Sequence, residues 1–165
     1  MSVWKRHTPS RALMRYAYEI DGRQLNIGTF IVKPFDVPHM DTDGKPCENY
    51  GFLIYSKVTK EKMLWITDCA YIEHKFPPCD YICIECNYID IDDYAKDAPY
   101  LNMAVESRRV QSHLSLHRSI AFVKRQNRTK LKQIRLLHIS KSHGNIKNIM
   151  LSEFKKKFPH IDIKC

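Results

Sequence analysis

Three residues are placed where they could do metal chemistry. Asp68 lies in Thr-Asp-Cys at 67–69, His113 in Ser-His-Leu-Ser at 112–115, and His138 in Leu-His-Ile-Ser at 137–140. Each stands at or just past the end of an apolar run. A strand's carboxyl end fixes a side chain that can still reach solvent, which is where α/β proteins build their sites. A carboxylate can bridge two metal ions about 3.5–4 Å apart, because each of its oxygens can take one ion. A neutral imidazole is a favoured zinc ligand. Taken singly, such residues are more often structural, but taken together they point to a metal-dependent hydrolase. No local spacing links them, so only a fold could bring them together.

Other motifs carry less. Cys83 and Cys86 form a C-x-x-C within Tyr-Ile-Cys-Ile-Glu-Cys-Asn-Tyr. That run reads as a strand, where residues three apart point to opposite faces, so the two thiols are expected as small apolar core groups. Ser115 and Ser140 are near histidines, but adjacency in sequence does not make a nucleophile–base pair. There is no Gly-rich phosphate loop, G-x-S-x-G elbow or zinc-finger spacing.

The elements that must position these residues follow from periodicity. Asp21-Gly22 signals a hairpin between strands at 16–20 and 24–27. Residues 29–35 read as the next strand, and 36–50, rich in Pro, Gly and acids, as a loop. Strands are expected at 51–57 and 62–67, and a buried one at 81–87. Residues 105–111 begin a helix. Residues 115–126 are helical, with Leu116, Ile120 and Val123 at helical spacing and Ser115 as cap. A strand at 133–139 and a helix at 145–158 follow. The helix has Ile146, Ile149, Met150 and Phe154 on one face, and three lysines suit its last turn. Pro159 stops it, and 160–164 reads as a terminal strand. The expected fold class is therefore α/β: a layered domain with a mixed sheet over 16–165, helices after residue 104, and a basic segment at 1–15.

The chain has 165 residues, 44% of them apolar, enough for one domain with a core. No apolar run approaches the roughly 20 residues of a membrane span. The basic start has no apolar stretch of a secretory signal, so the expected setting is cytoplasmic, with the six cysteines as free thiols. The net charge is +9, and residues 107–152 hold eleven Lys and Arg but no acid. Such asymmetry can favour a phosphate-rich partner, with Arg108, Arg109, Arg118, Lys124 and Arg125 as nucleic-acid-binding candidates.

Read in order, IGTFIVKPFDVPH, NYGFLI, LWITDCAY, DYICIECNY, SHLS and IRLLHIS resemble the metallo-β-lactamase superfamily, covering roughly residues 25–163. The chain is most similar to bacterial single-domain hydrolases, which in turn resemble ribonuclease Z-type and exonuclease-type members. The resemblance implies an αβ/βα sandwich holding zinc, or manganese or iron. It also implies hydrolysis of an ester or phosphodiester by a metal-bound hydroxide. It makes Asp68 the bridging ligand, His113 the ligand completing the first metal site and His138 that completing the second. His39, Glu85 and Asn87 then support the ligands from beside the site.

One departure stands out. The superfamily's His-x-His-x-Asp-His motif is absent; the only histidine before His39 is His7. That motif supplies two ligands to each metal. Its absence implies an N-terminally truncated or incomplete fold with one apolar sheet face uncovered and little metal binding by this chain alone. A separate chain supplying the missing half, or a second copy, is the implied partner. The loop at 36–50 adds Asp41 and Asp43 as substitute ligands. Two other readings remain open: a non-catalytic nucleic-acid or nucleotide module using 107–152, and a mononuclear enzyme with Asp68, His113 and His138 on one ion.

Overall fold

The computed structural model describes residues 23–41, 43–90, 110–140 and 145–165. Its centre is one seven-stranded mixed sheet. In chain order the strands are β1 (Leu25–Ile27), β2 (Phe30–Asp36), β3 (His39–Met40), β4 (Pro46–Cys47), β5 (Tyr50–Ser56), β6 (Lys62–Ile66), β7 (Tyr81–Glu85), β8 (Gln133–Leu137) and β9 (Asp162–Lys164). Helix α1 (Leu116–Arg125) lies between β7 and β8, and α2 (Ile146–Lys157) between β8 and β9. The sheet order is β1-β2-β5-β6-β7-β8-β9, and β3 pairs with β4 apart from it. Pairing is antiparallel up to β6 and parallel from β6 to β9.

Several expectations shift at their edges. The hairpin among the described residues joins β1 to β2, with Gly28 at φ +55 in its turn; the Asp21-Gly22 turn and the segment at 1–15 lie outside the described residues. The expected loop at 36–50 contains the β3–β4 pair, which is too short for any period to show. Its turn is built by Asp41, whose Oδ1 accepts the N–H groups of Asp43 and Lys45, both at 2.9 Å. The buried strand ends at Glu85, not Asn87, because Cys86 and Asn87 turn to bond neighbouring segments. Residues 110–112 are helical, and the rest of that expected helix lies outside the described residues.

Alternation decides which side is buried. Leu64, Ile66, Ile82, Ile84, Ile134, Leu136 and Ile163 share one sheet face and enter the core cluster. Phe122 and Val123 of α1 and Met150 and Phe154 of α2 pack with them, each at most 1% exposed. Burying each such side chain contributes about 1.5–3 kcal/mol. Ser115 caps α1 through its Oγ, which accepts the Arg118 N–H at 3.3 Å. In β5, Gly51 sits opposite Phe35, and a Cβ there would collide with that ring.

The other sheet face is also apolar. Val32, Phe52, Ile54, Met63, Trp65 and Cys83 alternate onto it by register. None joins the core cluster, and Phe30 and Trp65 are 46% and 38% exposed. Among the described residues, no helix is long and apolar enough to cross a membrane.

Candidate metal centre

The carboxyl ends of β6, β7 and β8 lie at one edge because the three strands are parallel. Each delivers one polar residue there: Asp68 two residues past β6, Glu85 as the last of β7, and His138 just past β8. His113 arrives by a different route. Residues 113–116 run alongside the chain that leaves β7. Asn87 N–H bonds Leu114 O at 2.9 Å, Leu116 N–H bonds Tyr88 O at 2.8 Å, and Ser115 bridges Tyr88.

Ligand-type atoms of Asp68, Glu85, His113 and His138 all lie within 4.8 Å of one another. Glu85 Oε1 accepts from Nδ1 of His113 at 2.6 Å and of His138 at 2.9 Å. Its Oε2 accepts the backbone N–H groups of Cys69 at 3.1 Å and Leu114 at 3.4 Å. Asp68 Oδ1 is 3.0 Å from His138 Nδ1 and 3.8 Å from His113 Nδ1. Exposure rises across the group. The Glu85 side chain is fully buried and His113 is 22% exposed, whereas Asp68 and His138 are 40% and 44% exposed. The group therefore has a closed floor and an open side facing solvent.

The donor set fits a divalent cation. Two carboxylates face each other here, and among the described residues their ion-pair partners are the two imidazoles, with no Lys or Arg. A buried carboxylate without a compensating charge is costly. A metal held here would offset that cost, and the donors are of the types zinc, manganese and iron accept. The ring atoms that meet Glu85 and Asp68 are the two Nδ1 atoms, and these are the imidazole atoms that converge with the carboxylate oxygens.

The three residues singled out from sequence are thus brought together. Glu85, expected beside the site, forms its buried floor. His39 is nearby: its ring centroid is 5.9 Å from that of His113, which is 5.0 Å from His138. His39 Nδ1 contacts Ser112 O at 3.2 Å. A carbonyl only accepts, so Nδ1 carries the proton and Nε2 keeps a lone pair. Asn87 donates from its side chain to His138 O at 2.8 Å. Asn49 was not read from the sequence; it donates to Thr67 O at 3.2 Å and Asp68 O at 2.5 Å. An Asn just before a strand carries only a turn signal, so nothing local marks it. Asp68 and His138 have φ of +55 and +51. That left-handed conformation costs a residue with a side chain about 1–2 kcal/mol. Asp41 and Asp43 do not join the four-residue group.

The basic candidates divide. Arg118 donates to Ala70 O at 2.9 Å and Val110 O at 3.2 Å, and Arg125 to Ile72 O at 2.7 Å. Both guanidiniums thus pin the 70–72 segment to α1. Lys124 is exposed. Arg108 and Arg109 lie outside the described residues. Burial pushes the Cys69 and Cys86 thiols beside the site far up, and Cys79, lying apart from it, rises to about 11 for the same reason.

No family model and no curated protein matches this chain in sequence. Solved structures do match in shape. The metallo-β-lactamase fold protein YhfI from Bacillus subtilis is 13% identical with a TM-score of 0.55, covering 89% of this chain and 51% of its own. Unliganded PDE1 from yeast is 12% identical at 0.54, covering 87% and 45%. CmlA, a diiron β-hydroxylase from Streptomyces venezuelae, is 12% identical at 0.53, covering 87% and 32%. The chain spans about half or less of the length of these proteins. With its mixed sheet, its helices and a donor cluster at the strand ends, it has the metallo-β-lactamase fold over most of its length.

Proposed function

We propose that this chain carries part of a metal-dependent hydrolase site acting on an ester or phosphodiester. The observation that carries the reading is the group Asp68, Glu85, His113 and His138 around a fully buried carboxylate. In this reading Asp68, His113 and His138 hold the cation, zinc first and manganese or iron as alternatives. Glu85 turns both imidazoles, and the open side at Asp68 and His138 admits substrate. Once bound, the metal would polarise the substrate oxygen and lower the pKa of a water toward neutrality. His39, whose ring lies 5.9 Å from that of His113, would receive or return a proton beside the site in this reading. The setting is cytoplasmic, consistent with six free thiols.

Asp68, His113 and His138 are close enough to share one ion. A second metal, where the reading needs it, takes ligands from a partner chain that supplies the remaining half of the fold. The apolar sheet face bearing Trp65 and Phe30 supports such a partner.

Metal analysis tests the reading. Against the sequence expectation of little binding by this chain alone, the clustered donors predict that the purified chain, equilibrated with Zn²⁺ or Co²⁺ and desalted, retains about one equivalent, a number set by the donor count for one tetrahedral ion. Retention of none rejects it. A non-catalytic nucleic-acid module instead predicts steeply salt-dependent DNA or RNA binding with no bound metal.

A further inference from the structure

We infer that Asn49 and Asn87 are a matched pair of positioning residues for the metal ligands. The inference rests on the metal reading above, adds Asn49 to it and gives Asn87 a stated role. Two ligand residues, Asp68 and His138, sit in left-handed backbone, at φ +55 and +51. In each the next carbonyl outward accepts a side-chain amide: Asn49 Nδ2 bonds Asp68 O and Asn87 Nδ2 bonds His138 O. Each amide comes from the strand beside the ligand's own. Asn49 precedes β5, which is the neighbour of β6, and Asn87 follows β7, which is the neighbour of β8.

Both asparagines are themselves anchored through the main chain. Asn49 O accepts the Val37 N–H at 3.1 Å. Asn87 donates its N–H to Leu114 O and accepts the Ser140 N–H at 3.0 Å. Each therefore transmits the position of the sheet to one ligand. Left-handed backbone is sparsely populated for Asp and His and persists only where the surroundings over-determine it. Without the amide clamp the chain would relax toward commoner dihedrals. The Asp68 carboxylate and the His138 imidazole would then swing off the shared ion. Asn49 is half-buried and lies outside the apolar core cluster, so its loss should leave the fold little affected, whereas Asn87 is buried.

The test uses the full chain and Co²⁺ as probe, with calorimetry for affinity and visible absorption for ligand geometry. Asn49→Ala and Asn87→Ala are each expected to weaken Co²⁺ binding about 10- to 100-fold, the range for partners that orient metal ligands. Each should also shift the Co²⁺ bands, while the metal-free far-ultraviolet dichroism stays that of the parent. Asn148→Ala, removing an exposed amide in α2, should change neither readout. Unaltered affinity and bands in both variants would overturn the inference. So would weaker binding with unaltered bands in step with lost metal-free folding, which a purely structural role would give. If Asn87→Ala fails to fold, the half-buried Asn49→Ala decides alone. A parent chain that binds no Co²⁺ rejects the metal reading itself, and the positioning role with it.

Discussion

The two edges of the parallel strands carry similar numbers of polar groups, arranged to opposite effect. At the amino ends, Lys132 Nζ lies 2.7 Å from Glu61 Oε1 and 3.3 Å from Asp80 Oδ1. Tyr81 donates its hydroxyl to the same Glu61 oxygen at 3.1 Å, and Asp80 Oδ2 accepts the Lys62 N–H at 2.9 Å. The Lys132 bond holds the Glu61 carboxyl below the usual carboxylate range. Burial pushes Asp80 up, yet the Lys62 N–H and Lys132 together bring it below that range. Those carboxylates raise Lys132, and the bond to Glu61 raises Tyr81. At the carboxyl ends, Asp68 and Glu85 face two imidazoles and no Lys or Arg among the described residues. One edge closes its charge with its own side chains, whereas the other leaves room for a cation from solution. Charge closure, more than residue count, separates a structural cluster from a candidate site.

Removing a ligand should break the contrast most strongly. Asp68→Ala and His138→Ala are each expected to lower Co²⁺ affinity by more than about 100-fold, beyond what orienting partners cost. A Co²⁺ titration reads this, and unchanged affinity in both would leave the carboxyl edge no different from the amino edge. Metal at about 100 times its Kd should stabilise the parent chain by about 2.7 kcal/mol. That gain, measured by thermal melting, should be absent from Asp68→Ala. Glu85→Gln keeps the shape of the floor but weakens its hold on both rings, and about 10- to 100-fold weaker binding is expected.

The amino edge should respond less. Lys132→Met leaves metal affinity unchanged and shifts the melting temperature only slightly, since Lys132 is 55% exposed and such pairs contribute little. The smallest effect is in pH. Glu61 and Asp80 titrate below their unfolded values, so the stability they contribute is present above the usual carboxylate range. It is lost as pH falls through their folded values. Lys132 and Tyr81 titrate above theirs, so their share is complete below the unfolded values and lost as pH rises through the folded ones. Urea midpoints of the metal-free chain across both windows should show each loss, and Lys132→Met should flatten the acid loss and remove the Lys132 share of the alkaline one while Tyr81's share remains.

Much of this was legible because it is periodic. Apolar runs bounded by polar turns located β5, β6, β7 and β8, and the helical spacing of Leu116 and Val123 located α1 with its Ser115 cap. Asp68, His113 and His138 showed themselves by ending apolar runs. What escaped depends on chain segments far apart. Glu85 reads as one polar residue in an apolar strand, and only three-dimensional closure makes it the group that both imidazoles address. Asn49 lies nineteen residues from the carbonyl it holds, so no window reveals it. The two-residue strands β3 and β4 have no period to detect. The arginines show a role the acid-free run does not: Arg118 and Arg125, both exposed, also donate to backbone carbonyls of the 70–72 segment.

The floor of the site also sets a timescale. Glu85 Oε2 holds the amide protons of Cys69 and Leu114, the residues that follow Asp68 and His113. With Glu85 fully buried, water cannot take over either bond unless the end of β7 moves. The two amides should therefore exchange with deuterium slowly and at one shared rate, even though neighbouring side chains are open to solvent. The loops that carry Asp68 and His113 then share a single opening event.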